Sequence, residues 1–162
     1  MKTIQELMTH TIQDLYSAET QALDAMAELA ERTTSDELRQ AFTVHQRETE
    51  GQVQRLEQIA QQMGIETEGE TCLAMQGLID EAQDLLEQLE DGQLADAAII
   101  GAAQKMEHYE IAAYGTARTL AQQAGQDQVA DLLQQTLEEE KATDKKLTTL
   151  ATNQINPKAV QS

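Results

Sequence analysis

Apolar residues recur at every third or fourth position along nearly the whole chain, the spacing of one face of an α-helix. The first stripe is Ile4, Leu7, Met8, Ile12, Leu15, Tyr16, Glu19, Ala22, Leu23, Met26, Leu29 and Ala30. It predicts a helix from Thr3 to Arg32. Thr34 with Glu37 three residues later reads as a capping box, so a second helix starts there. Its stripe is Leu38, Ala41, Phe42, His45, Glu48, Gln52, Val53, Leu56, Ile59 and Met63, and it stops at Gly64, a residue suited to a helix C-terminus. After a polar link at 65–71, a shorter stripe predicts a helix from Cys72 to Glu90, ended by the turn pair Asp91-Gly92. A fourth helix spans Leu94 to Gln123 and a fifth Asp127 to Thr152, closed by Asn156-Pro157. Strand-like alternation is absent from the sequence.

Each long segment holds about 26 to 30 residues, roughly 40 Å of helix. Short links join the first helix to the second and the fourth to the fifth, so each pair forms an antiparallel hairpin. The stretch between the hairpins is long enough to run back along the bundle. The predicted architecture is all-α: a four-helix bundle with a long crossover carrying an extra short helix. It forms a single domain over 1–154, with a frayed tail at 155–162.

Polar residues interrupt each long stripe near its middle. They are Glu19 in the first helix, His45 and Glu48 in the second, Glu107 and Glu110 in the fourth, and Glu140 and Asp144 in the fifth. In an antiparallel hairpin, residues equidistant from the turn share a height. Glu19 and Glu48 are equidistant from the turn near Thr33, and Glu110 and Glu140 from Gly125. Glu107 and Asp144 pair similarly. Four helices thus bring carboxylates to one central layer on their inward stripes.

A buried carboxylate must be protonated, paired with a cation, or bound to a metal. Arg47, Lys105, Arg118, Lys141, Lys145 and Lys146 fall off the inward stripes by helical phase. An internal salt-bridge network is therefore poorly supported. Shared protons neutralise two or three acids more readily than five or six. A pair of cations satisfies them all, and oxygen-rich ligation with an imidazole suits Fe or Mn. The candidate metal ligands are Glu19, His45, Glu48, Glu107, Glu110 and Glu140, with Glu48 and Glu140 as candidate bridges. Asp144 is either a ligand or an outer partner holding one. Tyr16 and Tyr114, one turn from Glu19 and Glu110, read as core tyrosines whose hydroxyls bond carboxylates. His108 falls off its stripe and reads as a structural or interface residue, and His10 as a surface one.

Composition narrows the function classes. The 162 residues carry a formal charge of −18, which argues against binding nucleic acid or an anionic membrane. One Phe and no Trp leave Leu, Ile, Met and Ala to build the core. The single cysteine, Cys72, excludes an internal disulfide, fits a reducing cytoplasm, and reads as a small buried hydrophobe. The first residues lack the apolar run of a signal peptide, and no stretch is long and apolar enough to span a membrane.

Five blocks carry a family resemblance. They are Tyr16-Ser17-Ala18-Glu19, His45-x-x-Glu48-Thr49, Gly77-Leu78-Ile79-x-Glu81-Ala82, Glu107-His108-Tyr109-Glu110-Ile111-Ala112 and Leu137-x-Glu139-Glu140-Lys141. In this order they resemble the YciE/YciF family of bacterial ferritin-like stress proteins, over residues 3 to 152. The resemblance implies a ferritin-like four-helix bundle, a dimetal site holding two Fe ions or Mn, a homodimer, and a role in stress. It implies no established reaction, and the catalytic residues stay open. One departure from the usual ferritin-like pattern stands out: no Glu is followed three residues later by His, and His45-x-x-Glu48 reverses that order. Two functions follow as expectations. One is a dimetal-carboxylate protein that oxidises ferrous iron or reduces peroxide or dioxygen. The other is a non-catalytic bundle acting through dimerisation or partner binding, its layer holding a structural ion or no metal. An iron-storage cage is a weaker third.

Overall fold

The computed structural model describes residues 1–161. Its elements are α1 (Ile4–Arg32), α2 (Asp36–Met63), α3 (Leu73–Leu86), α4 (Gln93–Gln123), α5 (Asp127–Leu150), a π-helical turn (Ala151–Ile155) and α6 (Asn156–Ala159). The fold is all-α, as the periodicity predicts. α1 packs along α2 and α4, and α5 packs along α4 and α2. The four long helices therefore close a ring in the order α1, α2, α5, α4. The short α3 lies on the outside, across α1 and α4. No described helix is long and apolar enough to cross a membrane.

The interior is not one continuous apolar core. One cluster, around Met26, Phe42, Ile99, Met106 and Leu147, fills the end of the bundle covered by α3. A second, around Ile12, Leu15, Leu56, Ile59, Tyr114 and Leu133, fills the other end. Between the two in sequence on every long helix sit buried polar groups: Glu19, His45, Thr49, Gln52, Glu107, Glu110, Thr136 and Glu140. Two apolar plugs thus enclose a polar layer and keep bulk water from it.

Several helix ends differ from the sequence expectation. α1 begins with a capping box, Thr3 Oγ1 accepting from the Glu6 amide at 3.1 Å while Glu6 accepts from the Thr3 amide. α2 is capped by Ser35, not Thr34: Ser35 Oγ accepts from the Leu38 amide at 3.3 Å. The reason is tertiary. The buried carboxylate of Asp96 on α4 takes the hydroxyls of Thr33 and Thr34, each at 2.6 Å, and the Thr34 amide at 2.9 Å. Gly64 ends α2 in the left-handed region at φ 68°, a conformation that favours glycine. The short helix begins at Leu73, one residue after the expected start, because Cys72 caps it. It ends at Leu86, four residues before the expected Glu90.

The C-terminal end also differs. Within the tail expected to fray at 155–162, the structure is helical through Ala159: a π-helical turn leads into α6, with Pro157 in the first turn of α6, where its missing N–H costs little. Ala151 and Ile155 are buried against α4 and its surroundings. Ser162 lies outside the described residues.

Asp96 ties the α1–α2 link to α4. Asp96→Ala removes the acceptor of the buried Thr33 hydroxyl and of the Thr34 hydroxyl and amide, and is expected to destabilise the fold by about 2 kcal/mol. The shift of the urea unfolding midpoint measures this.

Candidate metal centre

The layer is built by one to three residues from each long helix. Glu107 and Glu110 lie one turn apart on α4, so both point into the ring. On α2 the inward face carries His45, Thr49, Gln52 and Leu56. α1 contributes Glu19, and α5 contributes Thr136 and Glu140. His45 Nε2 lies 2.8 Å from Glu107 Oε1 and 3.9 Å from Glu140 Oε2. One potential ligand atom from each of His45, Glu107 and Glu140 lies within 4.8 Å of the other two. Glu19 faces Glu110, and Glu107 faces Glu140.

Part of the layer is held by neutral donors. The Tyr114 hydroxyl donates to Glu19 Oε1 at 2.5 Å, as the sequence reading anticipates for that tyrosine. The Gln52 amide donates to Glu140 Oε1, and also to Glu139 Oε2 at 3.2 Å. Yet one oxygen of each central acid has no hydrogen-bond partner: Glu19 Oε2, Glu107 Oε2, Glu110 Oε1 and Glu140 Oε2. Four orphaned carboxylate oxygens in one enclosed layer leave lone pairs for a cation.

The remaining sequence candidates fall elsewhere. Glu48 does not join the buried layer. Its side chain is 44% exposed and meets the outer edge of His45, with Oε2 3.5 Å from Nδ1. The inward face of α2 is centred on His45 and Gln52, which leaves Glu48 at its rim. Glu110, not Glu48, is the further acid enclosed with Glu140. Asp144 turns away to His108 Nε2 at 3.1 Å and Gln104 Nε2 at 3.0 Å, so Glu107 is opposed by Glu140 in its place. His108 is on the surface, and His10 pairs there with Glu70 at 3.3 Å. The expectation that no cation approaches the layer needs one correction. Arg55, only 12% exposed, makes a bidentate pair with Glu139 at 3.0 Å on the edge of the layer. It neutralises Glu139, not the four central acids.

Burial dominates the electrostatics. It lifts the Glu19 carboxyl from 4.5 to about 7, against the Tyr114 hydrogen bond and the charge of His45, which favour the ionised form. Burial first, then the neighbouring acids, hold Glu110 and Glu140 well above the ordinary carboxylate range. For His45, burial favours the neutral ring. The hydrogen bonds to Glu107 and Glu48 and the nearby acidic charges overcome it and raise its pKa. Without a metal, protons therefore occupy the layer: on Glu19, Glu110 and Glu140 at neutral pH or below, and on His45 beside Glu107.

The comparisons with known proteins fit this architecture. The model of the family described as "Domain of unknown function (DUF892)" matches residues 3–160. Protein YciF of Escherichia coli (strain K12) is 50% identical over 160 residues, covering 98% of this chain and 96% of that protein. The chain belongs to the YciF family.

Family membership extends to the fold. The crystal structure of the E. coli stress protein YciF superposes with a TM-score of 0.91, covering 96% of this chain and 99% of that one. YcfI of Rhodopseudomonas palustris, at 39% identity, gives a TM-score of 0.89 over 92% of this chain and 95% of its own. A Xanthomonas campestris protein at 21% identity gives 0.76 over 93% and 92%, and shares the fold.

This member of the YciF family holds polar residues that the sequence reading did not single out. Gln52 lies seven residues from His45 on the same face, so its position was visible but its partner was not. Thr136 is the buried polar residue one turn before Glu140, and its hydroxyl accepts from Arg55. Tyr109, beside Glu110 in sequence, faces away and donates to Asp14 while meeting Cys72 Sγ at 2.9 Å. Neither contact follows from helical spacing within one segment.

Proposed function

We propose that this protein is a dimetal-carboxylate redox protein of the ferritin-like kind, with iron as the working ion and manganese as an alternative. The observation that carries this reading is the set of four unpartnered carboxylate oxygens enclosed with His45. The donor set fits the group: hard carboxylate oxygens with a single imidazole suit Fe or Mn over softer ions. Glu19, Glu107, Glu110 and Glu140 would hold the metal through those oxygens, with His45 Nε2 as the nitrogen donor. The expectation that Glu48 bridges is replaced by a place at the rim.

Bound iron would supply one-electron chemistry toward dioxygen, peroxide or ferrous ion. The chain's own residues do the rest. Tyr114 orients Glu19 through one oxygen and leaves the other free. Gln52 does the same for Glu140. The apolar clusters at both ends exclude water, which strengthens the field of the acids inside. The term "stress protein" in the description of E. coli YciF supports a role in handling iron or oxidants under stress. A cytoplasmic homodimer is part of the same proposal, and a sizing column separates it from a cage.

The test is elemental analysis of protein purified without added metal, then aerobic addition of ferrous iron. About two Fe or Mn per chain, and iron oxidation faster than in buffer, are the expected results. Protein that takes up neither ion under anaerobic loading overturns the reading.

One observation favours a second reading. Among the described residues, only His45, Glu107 and Glu140 bring three potential ligand atoms within 4.8 Å of one another. That trio suits a single structural ion, with Glu19 and Glu110 sharing a proton. It predicts about one ion per chain and no iron oxidation.

A further inference from the structure

The layer is not equally closed on all sides. Along the seam between α2 and α5, Arg55 and Glu139 form a bidentate latch, and Gln52 joins that latch to Glu140. Further along the same seam the packing opens. A cleft of about 90 Å³ lies there, bounded by Ala41, Phe42, Glu48, Ala142, Thr143 and Lys146, with His45 in its wall. Small side chains make the gap: Ala41 on α2, and Ala142 and Thr143 on α5.

His45 separates this cleft from the acids. Its Nδ1 faces the cleft groups, 3.3 Å from Thr143 Oγ1 and 3.5 Å from Glu48 Oε2. Its Nε2 faces inward, to Glu107 at 2.8 Å and Glu140 at 3.9 Å. Beyond the ring lie the unpartnered oxygens of Glu107 and Glu140. One imidazole therefore touches a half-exposed carboxylate on one edge and two buried ones on the other. A hydrated cation at the cleft meets Glu48 first and the buried acids next, with His45 between them.

We propose that the α2–α5 cleft is the doorway through which a divalent cation reaches the buried carboxylates, with Glu48 receiving the ion and His45 forming the movable wall. This rests on the dimetal reading above. It also assigns Glu48 a task that its exposure suits: a carboxylate in water captures an ion and releases it inward, where the enclosed acids hold it more strongly. Lys146 at the same mouth opposes the approach of a cation, so the two side chains act with opposite sign on the rate.

The experiment mixes metal-free protein with Co²⁺ in a stopped-flow instrument at low salt and follows the cobalt absorption. Glu48→Gln is expected to slow loading on the order of tenfold, and Lys146→Gln to accelerate it. Ala142→Phe, at an exposed helix position, fills the gap and slows loading. It leaves the number of ions bound at equilibrium unchanged, and circular dichroism checks that the fold is intact. Raising the salt concentration narrows the difference between Glu48→Gln and the unaltered protein. Loading rates of Glu48→Gln and Ala142→Phe equal to that of the unaltered protein overturn the doorway. So does loss of a bound ion at equilibrium in Glu48→Gln, which makes Glu48 a permanent ligand. If the unaltered protein binds no cobalt at all, the dimetal reading falls and takes the doorway with it. A protein that binds cobalt but loads at a rate blind to these substitutions refutes the doorway alone.

Discussion

Metal-free protein is expected to lose thermal stability as pH rises through about 7, and saturating Mn²⁺ under anaerobic conditions to restore it. The sign follows from the buried acids. The Glu19 carboxyl titrates at about 7 in the fold and near 4.5 when exposed. A raised acid contributes stability that is fully present below its unfolded pKa and is lost as pH rises through its folded pKa. Glu110 and Glu140 are raised by the same burial, and His45 is raised too, so all four act in one direction. For Glu19 alone the shift corresponds to about 3 kcal/mol between low and high pH. For a chain of this size that is roughly 10 °C in melting temperature. Glu48 acts oppositely. Its hydrogen bond to His45 lowers its pKa, so its contribution is present above the usual carboxylate range and fades as pH falls. That places the stability maximum of the metal-free protein on the acid side of neutrality. A bound cation replaces the protons, so its stabilising effect grows with pH. At a hundredfold excess over its dissociation constant it adds about 2.7 kcal/mol. Calorimetric scans at pH 5.5 and 8.5, with and without Mn²⁺, read both effects. A melting temperature that climbs with pH in the metal-free protein would contradict the protonated layer.

Periodicity and turn chemistry make most of this fold legible in the sequence, because each long helix keeps one helical stripe whose apolar run is interrupted only by a few central polar residues. The height argument also held for Glu19, Glu110 and Glu140: position relative to a turn is a local property, and short hairpin links transmit it faithfully. What failed was angular precision. Glu48 sits three residues from His45, some 60° round the helix, and that was enough to move it from the layer to the rim. Asp144, open between ligand and outer partner in the sequence, lies elsewhere for a different reason: it shares Glu107's height, but Gln104, one turn before Glu107, and His108, next to Glu107, draw it outward. The cap at Ser35 in place of Thr34 has the same origin, since the threonine hydroxyls are recruited by Asp96 from a helix some sixty residues away. Helical phase places a residue on a face; competition from distant side chains decides what it touches. Asn156-Pro157 signals a helix end in the sequence, but in the structure Pro157 lies in the first turn of a new helix, where a proline is tolerated.

Glu110→Gln is expected to make the metal-free protein more stable at pH 8 and to abolish full metal loading. The two effects have one cause. Glu110 is 2% exposed, and its Oε1 has no partner. Burial and the charges of Glu19, Glu140 and Glu107 all oppose its ionisation. A neutral amide of the same shape removes that repulsion. Replacing buried charge with a neutral group of similar volume is commonly neutral or stabilising, so a gain of about 2 kcal/mol at pH 8 is reasonable. At pH 5.5 the native acid is already protonated, and the gain shrinks toward zero. The variant's stability therefore depends less on pH, and its metal-dependent stabilisation weakens because an amide is a poorer ligand for a hard cation. A carboxylate present only to build the fold behaves differently: its replacement leaves metal loading alone and does not stabilise at high pH. Urea titrations at pH 5.5 and 8, paired with metal analysis of the same samples, separate the two. Stability in excess of the native chain together with loss of bound metal marks Glu110 as a residue kept for ligation at a cost to the fold.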